Sequence, residues 1–415
     1  MSHSRQVATQ VMYQVVIKHQ HLKQALQLNL NPQISDQDHA WIQHACYESL
    51  RHHFSLQSRW QKFIEKPLKD KWISELLTVS LCQKFYMSTP DHAIVNEAIR
   101  AAKKAKKQWA SGLINKVLRL AMNDDNFKAE NETIESEHPT WWIDLLKKDW
   151  PNHYQQILQA NNQKPPLWIR TRKQDQVMAG EQHPVIKSAW LLSDNKASQS
   201  NELLDGQYSV QDASAQLATE ILKPEPGDFI LDACAAPGGK SCHLLEYESE
   251  IQLDILEKEP SRLKSVEDNL NRLNLTANRI ILGDATTPEN WFENKKYDKI
   301  LLDVPCSAAG VVRRNPDIKL LRQAEHLMQL TQLQQQIITQ IAPLLKAGGF
   351  LLYATCSVFR SENERQIKKF LKSHPNFSEQ ELNYDFAEKC GHGIQIITGT
   401  ERMDGFYYCL LKKTS

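Results

Sequence analysis

From about Val210 onward, short β-branched or apolar runs alternate with stretches of helical periodicity, and no other feature of the chain constrains its fold as tightly. The runs are FILDAC, QLDILE, RIILGD, KILLDVPC and FLLYATC. Between them, helices are expected from Ser241, from Ser261, in a long stretch ending near Leu345, and from Glu362. This alternation is the pattern of βαβ units wound into a doubly wound parallel sheet. GFYYCLLKK alternates less cleanly and is expected to add a closing strand. Ligands of open α/β sheets bind beyond the carboxyl ends of the strands, so the residues that end each run are the candidate site.

FILDAC runs directly into Ala235, Ala236, Pro237, Gly238, Gly239 and Lys240. Small residues at a strand-to-helix turn let backbone amides approach a nucleotide-like ligand closely. A phosphate-binding P-loop would need glycine where Cys234 stands, despite the GGKS that follows. The dinucleotide pattern GxGxxG is absent, which disfavours a nicotinamide or flavin enzyme. Glu257 follows the second run and Asp284 the third. A carboxylate past the second strand is placed to accept both hydrogen bonds of a ribose diol. Either acid alone reads as a solvated loop residue; in succession, with the glycine turn, they indicate a nucleoside-cofactor site.

The next two runs end in Asp303-Val304-Pro305-Cys306-Ser307 and Ala354-Thr355-Cys356-Ser357. A cysteine is ordinarily a small buried filler, the expectation for Cys46, Cys82 and Cys409. Cys306 and Cys356 instead end apolar strands just before a polar residue, at the same rim as the glycine turn if the strands are neighbours. A thiol beside a nucleoside cofactor has a specific use. Carbon 5 of a pyrimidine is a poor nucleophile until a thiolate adds to carbon 6 and makes the ring an enamine, after which it can attack a methyl sulfonium. Asp303 is placed to hydrogen-bond the cytosine amino group and ring nitrogen, and a second thiol to help break the adduct. Such a base must leave its stack, which requires a domain that holds the RNA.

The front of the chain fits that need. Residues 1–122 carry 17 Lys and Arg against 8 Asp and Glu, although the whole chain nets only +1. Apolar residues recur at helical spacing through Val7, Val11 and Val15 and through Trp41, Ile42, Ala45, Cys46 and Leu50, separated by turn signals, as in a compact helical bundle. Arg100 to Arg119 holds seven basic residues and no acid. A solvated helix face and an RNA contact are both open readings of it. Polar, acidic NDDNFKAENETIESE then reads as a linker, followed by a small α+β piece. The eight cysteines include no CxxC pair, which argues against a disulfide scaffold and a structural zinc site and for a reducing, cytoplasmic setting. No run of 18 apolar residues is present and the start carries no secretory signal.

LDACAAPGGK, LLDVPCSAAGVVRRNPD and LLYATCS resemble the motifs of the Sun/Nop family of RNA cytosine-5 methyltransferases. RQVATQVMYQVV, HAIVNEAIRAAKKAK and GLINKVLR are similar to a NusB-type RNA-binding domain. The resemblance implies a multidomain chain: an all-α NusB-like bundle over 1–125, a linker and small α+β connector over 126–209, and an α/β Rossmann-like methyltransferase domain over 210–415. It implies S-adenosyl-L-methionine as cofactor and a cytidine of 16S ribosomal RNA, or its precursor, as substrate. Position by position, it makes Cys356 the nucleophile and Cys306 the residue that assists product release. Cys234, Ala235, Ala236, Pro237, Gly238, Gly239 and Lys240 would bind the cofactor, with Glu257 at the ribose, Asp284 near the adenine and Asp303 at the methyl-transfer centre. Lys240 would also reach the target base. The family usually has Asp where Glu257 stands, and Glu259 competes for the ribose. It often has Thr or Ser in place of Cys242 and Ala309. Arg313 and Arg314, just past Cys306, read either as phosphate contacts or as solvated charges.

The expectation is therefore a cytoplasmic, monomeric enzyme with no metal and no membrane partner, forming 5-methylcytidine in 16S ribosomal RNA. Its rivals are a transfer-RNA cytosine-5 methyltransferase, since the motifs do not encode the RNA, and a non-catalytic ribosomal RNA-binding assembly factor. DNA methylation is disfavoured by the TC and PC contexts of the thiols.

Overall fold

The computed structural model describes residues 2–32, 34–172, 178–193, 203 and 205–414. Its contacts divide the chain into two compact units: residues 1–163 with 312–323, and residues 164–311 with 324–415. The second crossing of that boundary takes the segment just past Cys306 into the helical unit. Parts of the 126–209 connector (173–177, 194–202 and 204) lie outside the described residues.

The helical unit is built on Lys71–Phe85, which is buried around nearly its whole circumference, as befits a helix surrounded by others. Asp70 caps it, accepting hydrogen bonds from the amides of Trp72 and Ile73. Ser2–Val16, Asp36–Arg51, Asp91–Lys104 and Ser111–Met122 surround it. Their apolar stripes, including Val11, Val15, Ile42, Ala45 and Leu50, are fully buried. Residues 126–163, expected as the start of the connector, share their contacts with this unit. The buried Glu137 carboxylate accepts from the amides of Phe54 and Ser55 at 2.9 and 3.2 Å. An acid there meets the orphan amides that open the helix His53–Gln61.

Residues 312–323 are held in the same unit by buried polar contacts. Arg51 donates to the Arg313 carbonyl at 3.1 Å, and the Leu22 amide to Asp317 at 3.1 Å. Lys319, 1% exposed, donates to the carbonyl of Arg51 at 2.6 Å and to Asn162 at 3.0 Å. Arg313 is itself only 2% exposed. Of the two sequence readings for Arg313, neither a phosphate contact nor a solvated charge survives: the side chain is packed inside the unit. Arg314 is half-buried.

In the other unit, strands β1 (Leu167–Thr171), β2 (Glu181–Gln182), β3 (Ala189–Leu192) and β4 (Tyr208–Val210) form a four-stranded antiparallel sheet in the order β2-β3-β1-β4. The larger, nine-stranded sheet holds β5 (Phe229–Ala233), β6 (Gln252–Glu257), β7 (Arg279–Leu282), β8 (Tyr297–Asp303), β9 (Leu345–Thr355), β10 (Phe377–Gln380), β11 (Glu388–Lys389), β12 (Ile394–Ile396) and β13 (Phe406–Lys413). Its order is β11-β12-β13-β9-β8-β5-β6-β7, with β10 paired to β13. The five strands β7-β6-β5-β8-β9 are parallel, as the alternation predicts. The rest of the sheet is antiparallel, so the sheet is mixed. Both faces of the parallel strands are covered: Ile230, Leu301 and Leu352 face one core and Leu231, Leu302 and Leu351 the other. Strands buried on both sides read as continuous apolar runs. The weak alternation of GFYYCLLKK has the same cause, because β13 lies between β9 and β12 and not at an edge. Among the described residues no helix is long and apolar enough to cross a membrane.

Candidate active site

The parallel register brings the sequence candidates to one rim. β5 pairs with both β6 and β8, and β8 with β9, Asp303 lying opposite Ala354. Past β5 the chain turns sharply, with Cys234 at φ +65° and Gly238 at φ +93°. A Cβ on Gly238 would also press on Val266 at 3.1 Å, so glycine serves both the backbone angle and the close approach. Gly239 opens the helix Gly239–Tyr247. Burial pushes the Cys234 thiol well up, which keeps it a neutral packing group and leaves its backbone for the turn.

Glu257, at the end of β6, is buried and accepts from the amides of Ala236, Lys258 and Glu259 at 3.2, 3.0 and 3.1 Å. It thereby touches the glycine turn, whereas Glu259 is exposed at the start of the next helix. Asp284 lies two residues past β7. Burial works to raise its carboxyl, but the Thr286 amide and hydroxyl, both at 2.8 Å, and Lys258 at 2.9 Å hold it below the usual range. Asp303 ends β8 and receives the Lys240 ammonium at 2.5 Å. Burial opposes the charge on Lys240, yet Asp303 foremost, and Cys356 after it, lift the ammonium above its ordinary value. Lys240 also sits 5.0 Å from the centre of the Phe406 ring. The sulfurs of Cys306 and Cys356 are 3.4 Å apart.

Three contributors escape a sequence reading. Asp232 hides inside the apolar run FILDAC. Burial raises its carboxyl to about 7, against a hydrogen bond from the Ser241 hydroxyl and with the charge of Asp303 adding to the rise. Its Oδ1 is buried without a hydrogen-bond partner. Arg170, from β1, donates to the Gly239 carbonyl at 2.8 Å and to Glu246 at 2.9 Å, bracing the glycine turn. Glu362 binds the residues that follow both cysteines. An acid within a strand is the one signal that could have singled out Asp232.

The donors and acceptors of this rim suit a nucleoside that also carries an ammonium group. Glu257 offers a carboxylate at the glycine turn for a diol, and the orphan oxygen of Asp232 offers an acceptor for a cation. The residues present therefore fit a cofactor of that kind. Among the described residues, no group of three or more His, Cys, Asp or Glu is placed to hold a metal ion.

In the helical unit, the basic segment lies on the end of Asp91–Lys104, the turn after it and Ser111–Met122. Arg100, Lys103, Lys104, Lys106, Lys116 and Arg119 are exposed, while Lys107 is tied to Asp70. Trp109, between them in sequence, is 62% exposed. Arg100 pairs with Glu97 at 2.6 Å; an exposed aromatic ring and exposed cations in one segment suit an unpaired nucleotide strand.

Comparison with known proteins adds a family context. Residues 2–123 match the NusB family, 138–179 the RsmF/B-like ferredoxin-like domain, and 219–412 the family described as 16S rRNA methyltransferase RsmB/F. The ribosomal RNA small subunit methyltransferase B of Vibrio cholerae is 40% identical over 99% of this chain and 97% of its own. That of Vibrio vulnificus is 39% identical over 99% of both chains. Among solved structures, PH0851 superposes with a TM-score of 0.82 at 19% identity, over 99% of both chains. NSun6 from Pyrococcus horikoshii, solved with SFG, gives 0.59 at 18% identity over 67% of this chain and 98% of that one. The two structures are alike in fold.

The loop after Cys306 depends on one close approach. The Gly310 amide donates to the Cys356 carbonyl at 2.9 Å, and Gly405 donates to the Gly310 carbonyl at 2.8 Å. A Cβ on Gly310 would stand 1.9 Å from the Gly405 oxygen. Gly310→Ala is therefore expected to cost about 1–3 kcal/mol of stability, read as a lower denaturant midpoint. An unchanged midpoint would show that the two backbones part freely.

Proposed function

Because the chain belongs to the 16S rRNA methyltransferase RsmB/F family, we propose that it forms 5-methylcytidine at a cytidine of 16S ribosomal RNA, through a covalent adduct between Cys356 and carbon 6 of the base. Its methyl donor is S-adenosyl-L-methionine, which supplies an electrophilic methyl sulfonium. The observation that carries the reading is the 3.4 Å approach of two thiols at the rim that also holds the glycine turn and the Lys240–Asp303 pair.

In this reading Cys234 to Lys240 cradle the cofactor, Glu257 accepts from the ribose hydroxyls and Asp284 borders the adenine. Asp232 faces the cofactor's ammonium group. The Cys356 thiolate adds to carbon 6, and carbon 5 becomes the nucleophile that takes the methyl group. Asp303 holds the base through its amino group, and Lys240 places a positive charge beside Cys356 and Asp303. The carbon 5 proton then leaves, and the electron pair of that C–H bond re-forms the double bond as the carbon 6–sulfur bond breaks. Its hydrogen bond with Cys356 foremost, then burial, raise the Cys306 thiol well above its usual value. Cys306 therefore keeps its proton and donates it to the Cys356 sulfur, which steadies the departing thiolate. The helical unit holds the RNA, and the unit with the nine-stranded sheet carries out the transfer.

Transfer of labelled methyl to unmethylated 16S RNA tests the proposal, with transfer RNA as competitor. Label is expected as 5-methylcytidine in the ribosomal RNA, falling at least about 10³-fold in Cys356→Ala. Label confined to transfer RNA would overturn the substrate, and label undiminished in the variant would overturn the nucleophile. Replacing Lys103, Lys104 and Lys106 together by Ala is expected to reduce the slope of log affinity against log salt by about 2. An unchanged slope would remove this surface from the RNA contact.

A further inference from the structure

Behind the two thiols lies a buried polar cluster that the methyl-transfer chemistry does not use. Glu362 is fully buried, a position that acids occupy only when their oxygens are well supplied with donors. Its Oε1 accepts from the Ser307 amide at 2.8 Å and from Gln334 at 3.1 Å. Its Oε2 accepts from the hydroxyls of both Ser307 and Ser357. Ser307 and Ser357 are 3.1 Å apart, and each directly follows a cysteine, Cys306 or Cys356.

The neighbours of Glu362 extend the brace. The Tyr353 hydroxyl donates to its backbone carbonyl at 2.8 Å. Next in the chain, Asn363 accepts from the Thr355 hydroxyl at 2.6 Å and donates to the Ser357 carbonyl at 3.0 Å. Gln334 spans from Glu362 to the Pro305 carbonyl at 2.9 Å. The residues on both sides of each sulfur are thus fastened to Glu362 directly or through its neighbours Gln334 and Asn363.

We propose that Glu362 is a positioning residue: its carboxylate ties the turn after β8 to the turn after β9 and so sets the two sulfurs in register. This rests on the reading of Cys356 and Cys306 as the reacting thiols. Glu362 acts on them through the serines and touches no substrate. A second consequence follows from its charge. Cys306 faces the sulfur of Cys356, the Glu362 carboxylate and the Tyr353 hydroxyl. Cys356 instead has the Lys240 ammonium in its surroundings, along with the Tyr408 hydroxyl. The negative charge of Glu362 therefore favours the protonated form of Cys306, while the Lys240 ammonium stands on the side of Cys356. The two chemically identical groups are made unequal by what stands beside each.

The test uses the full chain and two variants, Glu362→Ala and Glu362→Gln. Methyl transfer, cofactor binding and iodoacetamide alkylation of each cysteine against pH are followed, the last by peptide mass spectrometry without RNA. Glu362→Ala is expected to lose about 10²-fold in kcat, with KM for RNA and cofactor affinity within about twofold. Glu362→Gln keeps an acceptor for the Ser307 amide and should recover most of that loss. It should also lower the alkylation midpoint of Cys306 by about one pH unit. A kcat for Glu362→Ala within threefold of the parent's, or a Cys306 midpoint unmoved in Glu362→Gln, would overturn the proposal. If Glu362→Ala does not fold, the Glu362→Gln midpoint decides alone. Undiminished transfer by Cys356→Ala would instead sink the underlying reading, while the midpoint still reports on Glu362.

Discussion

Cys306 and Cys356, fifty residues apart and each just past the end of a strand, meet because those strands are parallel, adjacent and in register. β8 and β9 satisfy all three conditions, with Asp303 paired to Ala354 and the sulfurs 3.4 Å apart a few residues later. The same register sets the remaining geometry. β5, on the other side of β8, delivers the glycine turn to that rim, and β6 brings Glu257 to the turn's Ala236 amide. A slip of β9 by one residue would turn Leu351, Tyr353 and Thr355 to the opposite face and would part the thiols. Burial on both faces of the central strands is what holds the register, because each side chain has a core to lose.

The charges at the rim are unevenly distributed, and that unevenness sets identical functional groups in different surroundings. Lys240 stands between Asp303 and Cys356 and keeps its positive charge although it is buried. Cys306 lies on the side of the Glu362 carboxylate. In a low-dielectric setting such neighbours count for more than in water. Asp232 and Glu257 add acceptors on the cofactor side of the glycine turn, one with an oxygen left unpaired by the protein. The rim therefore grades from carboxylate acceptors at the glycine turn to a cation beside the Cys356 sulfur.

Much of this was legible in the residues. The βαβ alternation, the turn at Gly238 and the strand-end cysteines are local patterns, written within a few residues of one another. What was hidden depends on partners distant in the chain. Lys319 looks like a surface charge until the carbonyl of Arg51 and the side-chain oxygen of Asn162 are seen to receive it, and Arg313 is buried beside them, its own carbonyl accepting from Arg51. Arg170 reads as part of a basic strand, yet it supports Gly239, sixty-nine residues on. Glu362 sits in the polar stretch RSENER and resembles any helix-start acid until Ser307 closes on it. Residues 123–137 have a linker's composition, yet the last of their acids, Glu137, caps a helix. Polar residues satisfied by tertiary contacts carry no periodic signal, whereas apolar ones do.

In the proposed reaction Cys356 bonds to the base while Cys306 helps it let go. The most direct measurement is intact-mass and peptide mapping of Cys306→Ala after incubation with 16S RNA and S-adenosyl-L-methionine under denaturing quench. The account predicts a stable protein–RNA adduct, with the modified nucleotide on the peptide that contains Cys356. An adduct that accumulates instead in Cys356→Ala, mapped to Cys306, would contradict it by exchanging the roles of the two thiols.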